Sequence, residues 1–246
     1  MLSDRMLPTT TRFSTRPLYL QLRDALAERI AQGEWKPGTA IPNESDLARE
    51  FGVSSGTMRK ALDMMEGEHL LTRRQGRGTF VNDQASDAMA LRFSNIRDRS
   101  GERVTGRVKT SEISEGKATD KERDRLALQP NEAVYRVRRV RLHNDRPFMV
   151  EETSFPAALF PGLAGMKNPS HRITVLAQEY GLLLGKAEER ISIGRAQPAV
   201  AADLGLAADA SLLVVDRVVH GLDGRPVEWR IGYCHFADQY YLAEIG

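Results

Sequence analysis

One cysteine, Cys234, stands in a chain of 246 residues. No internal disulfide and no cysteine-built zinc cage is possible, and the thiol, on an expected strand, belongs in a core. Long apolar runs are missing too. No stretch approaches the ~20 residues that cross a bilayer. The N-terminus, MLSDRMLPTTTRFSTRP, lacks the apolar centre of a signal peptide. A cytoplasmic protein with no membrane partner is expected. Charge of one sign is also scarce: net charge is +2, with 28% charged and 41% hydrophobic residues. Residues 1–82 hold 12 Lys/Arg against 10 Asp/Glu, so the small surplus falls there. Composition alone does not mark a nucleic-acid binder; the placement of charge has to. His69, His143, His171, His220 and His235 are scattered without metal-ligand spacing. Arg77-Gly78-Thr79 lacks the Lys-Ser/Thr of a phosphate loop, and no Ser or Cys sits in a nucleophile elbow. No metal, no cofactor and no enzymatic activity are expected.

The informative stretch is Ile41–Leu62, IPNESDLAREFGVSSGTMRKAL. Pro42 stiffens the entry and Asn43 can cap a helix. Leu47, Ala48 and Phe51 recur at helical spacing, and Gly52 permits a sharp turn. Val53 is placed to plug that turn from the core side. Ser54 or Ser55 then caps a second helix, over about 55–66, whose apolar face is Met58, Ala61, Leu62 and Met65. Two short helices around a tight turn form a helix-turn-helix, the second sized for a major groove. Its exposed start, Ser54, Ser55, Gly56 and Thr57, is small and polar, and Arg59 and Lys60 bring charge. His69–Arg73 reads as a strand, Arg74–Gly78 as a tight basic turn and Thr79–Val81 as a returning strand. That is a wing carrying Arg73, Arg74 and Arg77. The bland alternative is a helical hairpin with a solvated charged face.

Residues 17–81, from PLYLQLRDALAERIAQGEWKPGTAIP to RRQGRGTFV, closely resemble the DNA-binding domain of GntR-type bacterial transcription regulators. The resemblance rests on Leu18-Tyr19, Gly33, Pro37-Gly38, Ile41-Pro42, Glu44, Leu47-Ala48, Phe51-Gly52-Val53-Ser54, Thr57, Arg59, Ala61-Leu62, Gly76 and Gly78-Thr79-Phe80-Val81. It implies double-stranded DNA as partner and a homodimer on a palindromic operator. The DNA-binding residues it implies are Ser45, Ser54, Ser55, Gly56, Thr57, Arg59, Lys60, Arg74, Gly76, Arg77 and Gly78. Many members carry Arg where this chain has Ser45, and Arg or Gln where it has Ser55, so the operator sequence does not carry over.

In chain order, residues 1–15 read as a polar arm. A first helix runs from Pro17 to about Gln32 with Leu18, Leu22, Ala25, Leu26 and Ile30 buried, and Trp35 packs on the core. Domains are expected at 1–82 and 91–246, with a polar linker at 83–90. Strands are expected at Leu91–Ile96, Arg103–Glu112, Val134–Leu142, Phe148–Phe155, Lys186–Gly194, Leu212–His220 and Val227–Phe236. Helices are expected at Asp120–Leu126, Ile173–Tyr180 and Pro198–Leu204. Asn144-Asp145 and Leu222-Asp223-Gly224 are turns. Glu179, Glu188 and Glu189 read as solvated. The fold class is α+β: a winged helix-turn-helix joined to a mostly antiparallel sheet with helices on one side.

The second half, through EAVYRVRRVRLHNDRPFMVEETSFPAALFPGL, a helix ending YG, DLGL and a hairpin with RPVEW, resembles the UTRA effector-binding domain. That domain is typical of the HutC branch of GntR regulators and implies a chorismate-lyase-like fold. Arg139 and Arg141 share one strand face, suited to a carboxylate or phosphate; Arg136 and Arg138 share the other. The resemblance favours Arg139, Arg141, Glu151, Glu228 and Tyr233 as effector-binding residues. A strict two-residue turn at Asn144-Asp145 would put Glu151 on the wrong face; a three-residue loop or a bulge would place it opposite Arg139. The expected function is a ligand-responsive regulator, most simply a repressor, answering to a small anionic effector. The competing readings are a lyase-like enzyme with a DNA-binding appendage, distinguished by turnover of a pocket ligand, and an architectural DNA binder indifferent to metabolites.

Overall fold

Pro17 sets the chain for the first helix, α1 (Leu18–Ala31), which Gly33 ends at a positive φ of 75°. The computed structural model describes residues 16–104, 106–166 and 169–244, so the polar arm expected over 1–15 lies outside the described residues. Contacts divide the chain into two units, 1–82 and 83–246. In α1 the buried residues are Leu22, Leu26 and Ala27. Leu18 is 51% exposed and Ala25 is exposed, so the buried face is turned toward Ala27 relative to the expected stripe. Trp35 is buried.

Helix α2 (Glu44–Glu50) starts where the Asn43 side chain accepts the Asp46 N–H at 2.9 Å. Gly52 turns the chain at φ 64°. Helix α3 (Ser55–Gly67) is capped by Ser54, whose hydroxyl accepts the Thr57 N–H at 3.2 Å. Met58, Ala61, Leu62 and Met65 are all buried. Burying a side chain such as Leu26, Leu47, Met58 or Met65 contributes roughly 1.5–3 kcal/mol each, and this holds the three helices together. The wing is β1 (Leu71–Arg74) paired antiparallel with β2 (Gly78–Val81). It starts two residues later than expected because His69 takes a left-handed φ of 59°, incompatible with a strand.

The second unit opens with α4 (Asp87–Ala90) and a two-residue strand β3 (Ile96–Arg97). The stretch expected to be a linker thus carries a helical turn, and the Gln84 N–H donates to the Gln178 side chain at 2.8 Å. The strand expected at Leu91–Ile96 is mostly turn, and the one expected at Arg103–Glu112 begins only at Arg107. Then follow β4 (Arg107–Lys117), α5 (Asp120–Leu126), β5 (Ala133–His143) and β6 (Arg146–Pro156). After them come α6 (Ile173–Glu179), β7 (Leu184–Arg195), α7 (Pro198–Leu204), β8 (Ser211–Gly221), β9 (Pro226–Cys234) and β10 (Tyr240–Tyr241). Six strands form one antiparallel sheet in the order β4-β5-β6-β9-β8-β7, while β3 and β10 pair separately.

Helices cover both faces of this sheet, not one. Tyr135, Val137 and Phe155 pack with Leu176 and Ala177 of α6. The alternate residues turn the other way: Val134 and Trp229 pack with Leu126 of α5, and Val150 with Val200 and Leu204 of α7. The inner strands β5, β6, β8 and β9 place apolar residues on both sides, as a doubly covered sheet requires. Cys234 is buried beside Phe148, Met149 and Val215, and burial pushes its thiol up to about 12.

The β5–β6 hairpin sets the register that matters most. Asn144 and Asp145 both have positive φ, 50° and 60°, the backbone of a tight two-residue turn between paired His143 and Arg146. The register then shifts: Leu142 pairs with Pro147 and Arg141 with Met149, leaving Phe148 as the extra residue of a bulge. That one-residue slip brings Glu151 directly opposite Arg139.

Candidate functional site

Two chemically distinct surfaces emerge, one in each unit. In the first, α3 presents Ser55, Gly56, Arg59 and Lys60 to solvent. Its first turn holds no acidic residue, and the free N–H groups of a helix start attract a phosphate. Ser54 and Thr57 bond to each other at 2.8 Å, so both help cap the helix. Ser45 is exposed near the start of α2. Glu44 grips Arg59 with both carboxylate oxygens, at 3.1 Å from Nε and 2.8 Å from Nη2, a fork that fixes the guanidinium's direction. Lys60 sits over the Tyr19 ring at 3.9 Å.

On the wing, Gly76 and Gly78 have φ of 69° and 108°; the second value is open essentially to glycine alone. Arg74 lies over the Phe80 ring at 4.7 Å, and Arg77 is exposed at the tip. Arg73, expected with them, is instead tied back to α3: its N–H and guanidinium bond Glu66, and it pairs with Asp63.

The second surface is a cavity of about 60 Å³ on the α6 side of the sheet. Arg139, Arg141, Arg217, Glu228 and Arg230 line it from β5, β8 and β9, with His171 and Arg172 from the loop before α6. Glu151 lies beneath, 0% exposed, with Oε2 2.8 Å from Arg141 Nε and Oε1 2.6 Å from Arg230 Nη1. Burial raises the Glu151 carboxyl, but the charges of Arg141 and Arg230 outweigh it and hold it down at about 2. Glu228 is 3.8 Å from Arg230, and burial pushes its carboxyl up.

Arg139 is the exception. It is only 4% exposed, its buried Nε lacks a hydrogen-bond partner, and among the described residues none makes an ion pair with it. Burial lowers its pKa against the attraction of Glu151 and Glu228. A buried guanidinium without a bonded counter-charge suits an incoming anion. His171 faces the same charges: burial first, then Arg141 and Arg139, push its imidazole down to about 4.

The structure therefore gathers four of the five expected effector residues. Arg139, Arg141 and Glu228 line the cavity and Glu151 supports it. Tyr233 does not join them. It pairs with Val150 and Val214 and packs with the cluster beside α7, where burial and the charge of Glu152 on the opposite face push its hydroxyl up. Alternation along β9 hands the cavity position to Gly232. Arg217 and Arg230 were missed, though Arg230 stands two residues from Glu228 and so shares its face. Glu189, expected to be solvated, pairs with Arg217 and accepts from Tyr241 and Asn95. Arg136 and Arg138 face away, paired with Glu122 and Asp203.

A winged helix-turn-helix in the first unit and a charged cavity on an antiparallel sheet in the second define a DNA-binding head joined to a small-molecule domain. Residues 18–81 match the bacterial regulatory proteins of the gntR family, and residues 102–240 match the UTRA domain. Of curated proteins, the Mannosyl-D-glycerate transport/metabolism system repressor MngR of Escherichia coli is 32% identical over 72% of this chain and 74% of its own. The HTH-type transcriptional repressor NagR of Bacillus subtilis is 28% identical over 86% and 88%. Among solved structures, PhnF from Mycobacterium smegmatis superposes with a TM-score of 0.55 at 21% identity, over 91% of this chain and 98% of that one. The ligand-binding domain of a putative GntR-family regulator from Bordetella bronchiseptica gives 0.56 at 23%, over 63% and 98%. The chain belongs to the GntR family of transcription regulators that carry a UTRA domain: it is a DNA-binding regulator, not an enzyme. No described helix is long and apolar enough to cross a membrane.

Proposed function

We propose that this protein is a cytoplasmic repressor that binds a palindromic operator as a homodimer and is released by a small anionic metabolite. The observation that carries the anion is Arg139, buried at the cavity wall with no bonded counter-charge among the described residues. The relative named for mannosyl-D-glycerate supports a carboxylate-bearing sugar derivative as the chemical class, since glycerate is a carboxylate. In the head, Arg59, Lys60 and the start of α3 meet base edges and phosphates, with Ser45 nearby, while Arg74, Gly76, Arg77 and Gly78 follow the adjacent groove. Paired heads double a site that one head reads over only a few base pairs.

Coupling has a short covalent route. Leu91, Phe93, Asn95 and Ile96 line the cavity and follow closely on the boundary at Asn82, so a bound ligand touches the segment that continues into the head. A ligand acts only through its different affinity for the DNA-competent and incompetent states, commonly about 1–3 kcal/mol. The test is a footprint upstream of the gene that encodes the chain, repeated with sugar acids and sugar phosphates. Protection of an inverted repeat that one such anion abolishes is expected. Operator affinity indifferent to every anion would refute the ligand reading, and protection of one asymmetric half-site would refute the dimer.

A further inference from the structure

We infer that Gln178, at the end of α6 far from the charged cavity, is the positioning residue that passes ligand occupancy to residues 83 and 84, and through Asn82 to the wing. The inference rests on the effector reading above and names the route its regulation takes.

Helix α6 touches the cavity with one end only. Arg172, its N-cap, and Ile173, its first residue, line the cavity beside His171. Gln178 stands one residue before the helix ends, roughly 7.5 Å further along the axis. Its amide uses both atoms on one short segment. The carbonyl accepts the Gln84 N–H at 2.8 Å, and the nitrogen donates to Asp83 Oδ1 at 3.2 Å. That segment is itself folded: Asp83 Oδ1 also accepts the Ala85 N–H at 3.0 Å, and the Asp83 carbonyl accepts from Ser86 Oγ at 2.6 Å. Only a side chain with an acceptor and a donor side by side can hold both residues.

The preceding residue is held by its own unit. Asn82 donates from Nδ2 to the His69 carbonyl at 3.0 Å and accepts from the Thr72 hydroxyl at 2.6 Å. Its N–H donates to the Leu70 carbonyl at 2.8 Å. These partners are the root of β1. Neighbouring residues are thus fixed, Asn82 to the wing strand and Asp83 to α6, and the peptide between them is planar. A shift of α6 meets no length of loose chain before the wing.

A ligand acts only on an element with two seats. Thr174, in the first turn of α6, is 1% exposed, and its hydroxyl has no hydrogen-bond partner among the described residues. An unsatisfied buried hydroxyl is costly, so the ligand-free seat of α6 carries a cost that a small movement can relieve. An anion drawn to Arg139 also attracts Arg172 at the helix start.

The direct route through residues 91–96 bypasses Gln178, and the experiment separates the two. It uses the full chain and a duplex that the parent selects from a random pool. The probes are sugar acids and sugar phosphates, glycerate and glucose 6-phosphate among them, with inorganic phosphate. Calorimetry reads probe binding, and fluorescence anisotropy reads duplex affinity with and without probe. In the parent, a probe that binds should weaken the duplex by about fivefold or more. Gln178→Ala should bind that probe, and the duplex alone, within about twofold of the parent, yet the probe should no longer weaken the duplex. Gln178→Glu keeps the acceptor but faces the Asp83 carboxylate and should behave alike. Adding Asp83→Asn gives the new carboxylate a donor and should restore the parent's response, a rescue that a merely stabilising contact would not produce. Either single variant keeping the full response overturns this route while the effector reading stands. Lost probe binding in Gln178→Ala overturns it too, because the helix would then only shape the cavity. A parent whose duplex affinity answers to no probe overturns the effector reading and this inference with it.

Discussion

Replacing Arg139 by methionine should stabilise the ligand-free protein and destroy its response to effector, opposite signs from one substitution. The guanidinium is 4% exposed, is repelled by Arg141 and Arg230, and is attracted by Glu151 and Glu228 without an ion pair to either. Exchanging a whole buried ion pair for apolar side chains of similar volume is often neutral or stabilising by about 1–4 kcal/mol, and the same desolvation cost bears on Arg139, which has no bonded partner among the described residues to strand. The residual attraction of the two carboxylates puts Arg139→Met at the low end, about 1–2 kcal/mol. For a domain of this size, each kcal/mol moves the unfolding midpoint by roughly 2–4 °C, so a rise of roughly 2–8 °C is expected. In the complex the same guanidinium would meet the anion, and losing one partner of a buried charge pair costs about 2–5 kcal/mol. The assay is thermal unfolding without ligand, calorimetric titration with the identified effector, and operator binding as a control for the head. A lower midpoint with unchanged effector affinity would refute the reasoning, because Arg139 would then be an ordinary structural ion-pair member.

Other outcomes follow from the same geometry. Glu151→Gln removes the carboxylate that faces Arg141 and Arg230 and should cost about 3–5 kcal/mol in urea unfolding; a loss under about 1 kcal/mol would mean the arginines relax to water. Arg59→Ala should weaken operator binding roughly 5- to 150-fold with the fold intact, since Arg59 is an exposed residue; equal loss on unrelated DNA would reduce Arg59 to a phosphate contact. His171, held at about 4 and therefore neutral at pH 7 in the free protein, should take up a proton when an anion arrives. Affinity for a carboxylate effector should then rise as pH falls from 7 to 5, by at most about tenfold per unit, and His171→Asn should flatten the profile. Without effector the sign reverses: as pH falls from 6.5 to 4 the unfolded chain binds a proton that the folded one refuses, so stability declines. A flat effector profile in the parent protein would remove His171 from the site.

Local chemistry made the head readable. Helix caps, a glycine at a left-handed turn and apolar residues three and four apart act over a few residues, so Asn43, Ser54, Gly52 and the Met58–Met65 face stood in the sequence as they stand in the fold. The long strands were readable for the same reason, because two-residue alternation is local. The charged cavity was only half legible. Alternation put Arg139 beside Arg141 and Glu228 beside Arg230, but it has no origin: it does not say which face is covered or how neighbouring strands align. The bulge at Phe148 decided that Glu151 meets Arg139. The pairing of β7 with β8 decided that Glu189 meets Arg217 and leaves the solvent. The same phase along β9 sent Tyr233 to the far face. Residue types and their spacing determined that this chain would build a DNA-binding head and an arginine-bearing sheet. Only strand register and the packing of helices on both sheet faces decided which arginine would be left buried without a bonded counter-charge, because those depend on contacts between residues far apart in the chain.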